Sequence, residues 1–125
     1  MNKSSTTNPL RRAALILLLT ILSVGNILAQ DIPWQGQGTE QSPYLITTTA
    51  DFEALAEWVN NGNDHEGLFF RLDADLNYDP DIPNNHTPIG TYLENPFRGI
   101  FDGNNHTISG IRISSENNHL GLFGD

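Results

Sequence analysis

The chain has 125 residues, no cysteine and a formal net charge of −9 at pH 7. This length allows about one domain, and the absence of cysteine excludes stabilisation by disulfides. So acidic a chain is a poor candidate for binding nucleic acid or an anionic membrane.

Residues 1–29 have the order of a secretory signal peptide. Basic residues at Lys3, Arg11 and Arg12 precede an apolar run over residues 13–22, and a more polar stretch ends at Ala29. We expect cleavage after Ala29, which leaves 15 acidic and three basic residues, a net charge of −12. An uncleaved membrane anchor is the alternative, but the apolar run is shorter than the roughly 20 residues of a spanning helix. The sequence therefore predicts a secreted or bacterial cell-surface protein without a membrane span.

Residues 30–43 are polar and rich in glycine and proline, and we expect an extended segment there. Gly36 and Gly38 do not form a dinucleotide-binding loop, because the third glycine and the preceding strand are missing. A short strand is predicted over residues 44–47.

A helix is predicted over residues 49–61. Thr48 and Thr49 are both suitable N-caps, and Thr48 with Asp51 fits a capping box. The apolar face consists of four residues at helical spacing: Phe52, Leu55, Ala56 and Val59. Asn61 or Gly62 can end the helix in the left-handed conformation.

From residue 68 onward the apolar period changes to two. Residues 70–78 alternate and predict one strand with a buried and a wet face. A loop over 79–87, a short strand or turn at 88–90, and strands over 97–101, 107–113 and 120–123 follow, with a turn at 102–105. Short apolar pieces separated by Gly, Asn and Asp turns are typical of a solenoid, in which one coil cannot bury its apolar face alone.

Motifs over residues 34–124 resemble the amino-terminal region of bacterial secreted and surface proteins that carry GLUG repeats, which are named for a Gly-Leu-any-Gly motif. The matching pieces are Trp34-x-Gly36-x-Gly38-Thr39, Pro43-Tyr44-x-Ile46, Asp51-Phe52-x-x-Leu55-Ala56, Val59-Asn60-x-Gly62, Pro88-Ile89-Gly90, Pro96-Phe97-x-Gly99-x-Phe101-Asp102-Gly103-Asn104-x-His106-Thr107-Ile108 and Gly121-Leu122-Phe123-Gly124. The resemblance implies a right-handed parallel β-helix and a role in adhesion or at the cell surface. Such repeats also occur beside immunoglobulin-A-specific metallopeptidases.

The predicted helix has the two-faced character that a solenoid needs at its end. We expect Phe52, Leu55 and Val59 to cover the open end of the first coil. Residues 44–125 would then be the N-terminal cap and first coils of a truncated β-helix, and the fold class is mainly β with one amphipathic helix.

Five oxygen-bearing residues alternate in a way that resembles a calcium loop: Asp73, Asp75, Asn77, Asp79 and Asp81. The pattern departs from an EF-hand, since Tyr78 stands where glycine is needed and Asn84 where glutamate is needed. The solvent face of a strand explains the first three residues equally well. We favour that explanation, and calcium remains the only cofactor hypothesis.

The histidines give no catalytic motif. His65 and Glu66 form half of a zincin motif, but the second histidine would be residue 69, which is phenylalanine. His86, His106 and His119 each lie beside asparagine, which favours a role in turns and loops over a metal site.

Four aromatic residues could form a carbohydrate-stacking face: Trp34, Tyr44, Trp58 and Tyr92. Packing in the core is the alternative that we favour.

These observations predict a non-enzymatic module of a surface β-helix protein, acting in adhesion or as a scaffold. The alternative is the N-terminal part of a larger extracellular enzyme, a polysaccharide-acting β-helix or a peptidase, whose catalytic residues lie outside this chain. A small calcium-stabilised module is a third hypothesis. The expected partners are a host or cell-surface protein or glycan, or a second copy bound through an open β edge.

Overall fold

The computed structural model describes residues 31–114 and 121–124, so the predicted signal peptide and His119 lie outside the described residues. From Pro33 onward the described residues belong to one compact unit. Its elements are β1 (Tyr44–Ile46), α1 (Thr49–Asn60), β2 (Phe69–Leu72), β3 (Leu76–Asn77), β4 (Ile100–Asp102) and β5 (Ile108–Ser109). The fold is mainly β with one amphipathic helix, as the sequence predicts.

Helix α1 forms because its sequence supplies both a cap and an apolar face. Thr48 is the N-cap, and its hydroxyl accepts the Asp51 N–H at 3.0 Å while the Asp51 carboxylate accepts the Thr48 N–H. This reciprocal pair is the predicted capping box. The four predicted apolar residues are fully buried, and Gly62 follows the helix with a φ of +86°.

The strands pair in parallel, and the partners are far apart in sequence. In the first sheet, of order β1-β2-β4, Phe70 pairs with Tyr44 on one side and with Phe101 on the other. In the second sheet, Leu76 of β3 pairs with Ile108 of β5. A parallel bridge also joins Ile89 to Phe123.

The single strand predicted over residues 70–78 is wrong, because the chain divides there into β2 and β3. The two strands belong to different sheets, so the backbone must bend between Leu72 and Leu76. The predicted alternation still holds across the bend, since Phe70, Leu72, Leu76 and Tyr78 are all buried. The strands predicted over 97–101 and 107–113 are shorter in the structure, where only β4 and β5 are paired.

The core consists mainly of residues from α1 and from strands β1, β2 and β3. Phe70, Leu76 and Ile89 are at most 1% exposed. Each of these residues pairs with a residue later in the chain that is only partly buried: Phe101, Ile108 and Phe123 respectively. Burial therefore decreases from the helix side of the unit towards β4 and β5.

Asparagine side chains fasten the chain segments to one another. Asn85 donates to the carbonyls of Asp79 and Gly110, both at 2.8 Å, and its side-chain oxygen accepts the Arg112 N–H at 2.8 Å. Asn104, in the predicted turn, has a φ of +49° and donates to the Leu72 carbonyl at 3.2 Å. Turn residues thus supply hydrogen bonds between segments that the short strands alone would not provide.

Candidate functional site

Glu53 on α1 contacts three residues from distant parts of the chain. One of its oxygens, Oε2, accepts the Tyr78 hydroxyl at 2.6 Å and lies 2.5 Å from Nδ1 of His86. The other, Oε1, accepts the Thr87 N–H at 2.7 Å. One carboxylate therefore links the helix to the residue after β3 and to the loop before Ile89.

Burial and Glu53 together change the chemistry of Tyr78. Desolvation raises the pKa of its hydroxyl, and the hydrogen bond to the Glu53 carboxylate and the charge of that group raise it further. The pKa lies far above its ordinary value of 10.0, so Tyr78 acts as a hydrogen-bond donor throughout the physiological range.

His86 completes this cluster from inside the core. Its side chain has no exposed surface, and its ring stacks on Phe52 with a centroid separation of 5.0 Å. Its second nitrogen, Nε2, lies 3.2 Å from the carbonyl oxygen of Leu122. An acid–histidine pair can activate a hydroxyl nucleophile, but here the far nitrogen faces a backbone carbonyl. The arrangement joins three chain segments.

A surface pocket of about 220 Å³ lies at the other end of α1. One of its lining residues is His65, which is buried and lies between two backbone groups. Nδ1 is 2.8 Å from the Asn63 carbonyl oxygen, and Nε2 accepts the Arg98 N–H at 2.8 Å. The lining residues are Val59, Gly62, Asn63, Asp64, His65, Glu66, Glu94, Asn95, Pro96 and Arg98.

The pocket offers acceptors more than donors. Asn63 and Asn95 use their amide groups to donate to the carbonyls of Trp58 and Asn60 in α1, at 2.8 and 3.0 Å. Three acidic residues, Asp64, Glu66 and Glu94, and one basic residue, Arg98, also line the pocket. His65 is fixed by its two backbone contacts, so the half zincin motif serves to hold this loop.

The five residues of the calcium hypothesis are used separately in the structure. Asp73 lies 3.5 Å from Arg71, and Asn77 accepts the Ser109 hydroxyl at 2.9 Å. Asp79 accepts the Asp81 N–H at 2.9 Å within a turn. Asp75 accepts the Thr107 N–H at 2.9 Å and also contacts His106 at 3.1 Å. Across residues 31–114 and 121–124, no three His, Cys, Asp or Glu side chains are grouped to hold a metal ion.

Three of the four aromatic residues meet beside the helix. The buried ring of Trp34 lies 5.8 Å from both Tyr44 and Trp58, and its Nε1–H donates to the Asp51 carbonyl at 3.0 Å. Tyr92 is 59% exposed, in the loop after Gly90. The N-terminal segment thus contributes Trp34 to the core rather than to a stacking surface.

Sequence reasoning misses the cluster around Glu53. The sequence places Glu53 in the predicted helix and His86 in the predicted loop, and their contact spans 33 positions. The position of Glu53 on the helix is the one sequence feature that indicates partial burial, because Glu53 follows Phe52 at the edge of the buried face. No local pattern marks His86 as buried.

No helix in the described part of the chain is long and apolar enough to cross a membrane.

Two relatives show what kinds of protein contain similar sequence. The chain is 36% identical over 90 residues to a protein of Evansella cellulosilytica described as a Gly-rich membrane protein, and 32% identical over 101 residues to halomucin of Haloquadratum walsbyi. These matches cover 71% and 74% of the chain but only 10% and 1% of the relatives. The chain therefore corresponds to a small part of each relative.

No protein family model matches the chain. No solved structure matches it either.

Proposed function

We propose that residues 44–125 are the N-terminal cap and first coils of a right-handed parallel β-helix in a secreted bacterial surface protein, with a non-enzymatic role in adhesion or as a scaffold. The observation that carries this proposal is the nearly constant spacing of the parallel pairs: Phe70 with Phe101, Leu76 with Ile108, and Ile89 with Phe123. Hydrogen bonds between the same segments have this spacing too. The contacts of Asn77 with Ser109 and of Asp75 with Thr107 each span 32 positions.

Such constant spacing is what a coiled chain produces. If every coil takes close to the same length of chain, each position stacks on the position one coil later, and all pairs are parallel. Parallel strands need a crossover between them, and crossovers of this kind are right-handed in about 98% of cases. The asparagine bonds from Asn85 and Asn104 join the same successive coils.

Helix α1 supports the assignment of a cap. It lies in the crossover between β1 and β2, where the paired residues Tyr44 and Phe70 are closer in sequence than the pairs between later coils. Its apolar face contributes Phe52, which contacts Phe101 of the second coil at 5.7 Å between ring centroids. A helix with one apolar and one polar face is suited to closing the end of a solenoid.

The relatives support a surface location and a longer protein. One is named a membrane protein and the other halomucin, and the chain spans a tenth or less of either. Export through a signal peptide over residues 1–29 fits this proposal. Extended β-helix surfaces bind partners along their length, so a host or cell-surface protein or glycan is the expected ligand. A larger extracellular enzyme with its catalytic residues elsewhere is the alternative.

The decisive experiment identifies the native protein on cells. An antibody raised against residues 49–62 is applied to intact cells before and after protease treatment, and to the secreted fraction. We expect a species several times larger than 13.8 kDa, removed by external protease. A protease-resistant band inside the cell, or a band at the mass of this chain, would contradict the proposal.

Adhesion is then separated from scaffolding and catalysis. A strain lacking the gene should attach less to glass or to neighbouring cells, and purified protein should restore attachment without turnover of surface polysaccharide. Release of soluble sugar or peptide fragments would favour the enzyme alternative.

A further inference from the structure

The two buried histidines have opposite hydrogen-bond surroundings. His65 lies between one acceptor, the Asn63 carbonyl, and one donor, the Arg98 N–H. Only the neutral ring with its proton on Nδ1 satisfies both contacts. A second proton would place an N–H of the ring against the Arg98 N–H.

His86 lies between two acceptors. Nδ1 is 2.5 Å from the Glu53 carboxylate, and Nε2 is 3.2 Å from the Leu122 carbonyl oxygen, which also accepts the Ile89 N–H. The Leu122 carbonyl cannot donate a proton, and the Glu53 carboxylate already accepts from the Tyr78 hydroxyl and the Thr87 N–H. Both contacts are hydrogen bonds only when the ring carries a proton on each nitrogen.

We propose that Glu53, His86 and Leu122 form a pH-responsive latch, in which doubly protonated His86 fastens helix α1 and residues 121–124 to the loop before Ile89. Loss of one proton leaves an unprotonated ring nitrogen facing an acceptor, and the hydrogen bond at that nitrogen is lost. This inference does not depend on the surface role proposed above.

The surroundings of His86 support this role. Among the described residues, the titratable groups in contact with its ring are Glu53 from α1 and Tyr78 after β3. Tyr78 donates its proton to Glu53, so within the described part of the chain the carboxylate is the charged group that faces the ring. Phe52 and Leu122 contribute an apolar ring and a backbone carbonyl.

The direction of the pH response follows from these contacts. Only the doubly protonated ring makes both hydrogen bonds, so the latch is closed on the acidic side and opens as the pH rises. Raising the pH removes the second proton and releases the Nε2 contact first, because Nδ1–H remains bonded to the carboxylate. Residues 121–124 should therefore loosen before the helix does.

The first test observes the ring nitrogens directly. Nitrogen-15 NMR of the histidine rings in the full chain should show two protonated nitrogens on His86 at pH 6 and one on His65. His65 is the internal control, because its burial is similar and its surroundings are opposite. A singly protonated His86 at pH 6 would overturn the proposal.

The second test measures the consequence. Hydrogen-exchange protection of the Ile89 and Gly124 amides should fall about tenfold to a hundredfold between pH 6 and 9, as for loss of a hydrogen bond to a charged group, while β2–β4 amides keep theirs. Glu53→Gln should abolish this difference, and Glu57→Gln, exposed on the same helix, should preserve it. Unchanged protection in the parent chain, or equal effects of the two variants, would contradict the latch.

Discussion

Gly110 lies where one backbone segment passes directly over another. Its φ is +77°, and a Cβ at this position would collide with the carbonyl oxygen of Tyr78. Gly103, in the turn after β4, has no heavy atom within 4 Å of such a Cβ. Glycine is therefore required at Gly110 by close packing, whereas at Gly103 there is space for a side chain.

We predict that Gly110→Ala lowers the free energy of unfolding by roughly 1–3 kcal/mol, as overpacking does. Gly103→Ala should change it by less than about 0.5 kcal/mol. Urea unfolding followed by tryptophan fluorescence measures both variants. Equal effects would show that Gly110 is not in close contact with Tyr78.

The Asp75 carboxylate joins β3 to the turn before β5. The Thr107 N–H, and then the His106 ring, hold its pKa below the usual value of 3.8. A lowered pKa in the folded state means that the contribution to stability is present above pH 3.8 and is lost as the pH falls through the folded value.

We predict that unfolding by acid is less steep for Asp75→Asn between pH 4 and 2 than for the parent chain. Thermal melts at half-unit pH intervals test this expectation. Asp73→Asn is the matched control, because the Asp73 contact with Arg71 is long and exposed. A variant curve parallel to the parent curve would show that Asp75 does not contribute.

At the scale of elements, mutations at the start of α1 can test whether Thr48 is the N-cap. Thr48→Ala removes the hydroxyl that accepts the Asp51 N–H and should lower the free energy of unfolding by about 1 kcal/mol. Thr49→Ala, one position later and suggested by sequence as an equal candidate, should stay within about 0.5 kcal/mol. Chemical denaturation of both variants provides the measurement, and a larger loss for Thr49→Ala would reverse the assignment.

The helix could be predicted because its determinants are local: a cap at Thr48, an apolar face at fixed spacing, and a glycine at the end. The strands could be predicted only in part. Whether the chain from Phe70 to Tyr78 forms one strand or two depends on Phe101 and Ile108, which pair with it from strands about 30 positions further along the chain. The Glu53–His86 contact is equally non-local, so no sequence pattern connects the two residues.

At the scale of the whole molecule, the proposed stacking of successive coils can be tested by disulfide crosslinking, because the chain contains no cysteine. Asn77 and Ser109 pair in register and their side chains touch at 2.9 Å. Paired Cα atoms of neighbouring strands lie within the range that a disulfide can span. The variant Asn77→Cys/Ser109→Cys should therefore oxidise readily.

We predict that this disulfide raises the melting temperature by roughly 10 °C or more, because it closes a long loop in the unfolded chain. The control Asn77→Cys/Asp102→Cys should not crosslink, since Asp102 pairs with Arg71 in the other sheet. Free-thiol counts and melts with and without reductant distinguish the two variants. Crosslinking of both variants would show that the strand register is mobile. Crosslinking of neither would show that Asn77 and Ser109 do not pair, and this would contradict the spacing on which the coil proposal depends.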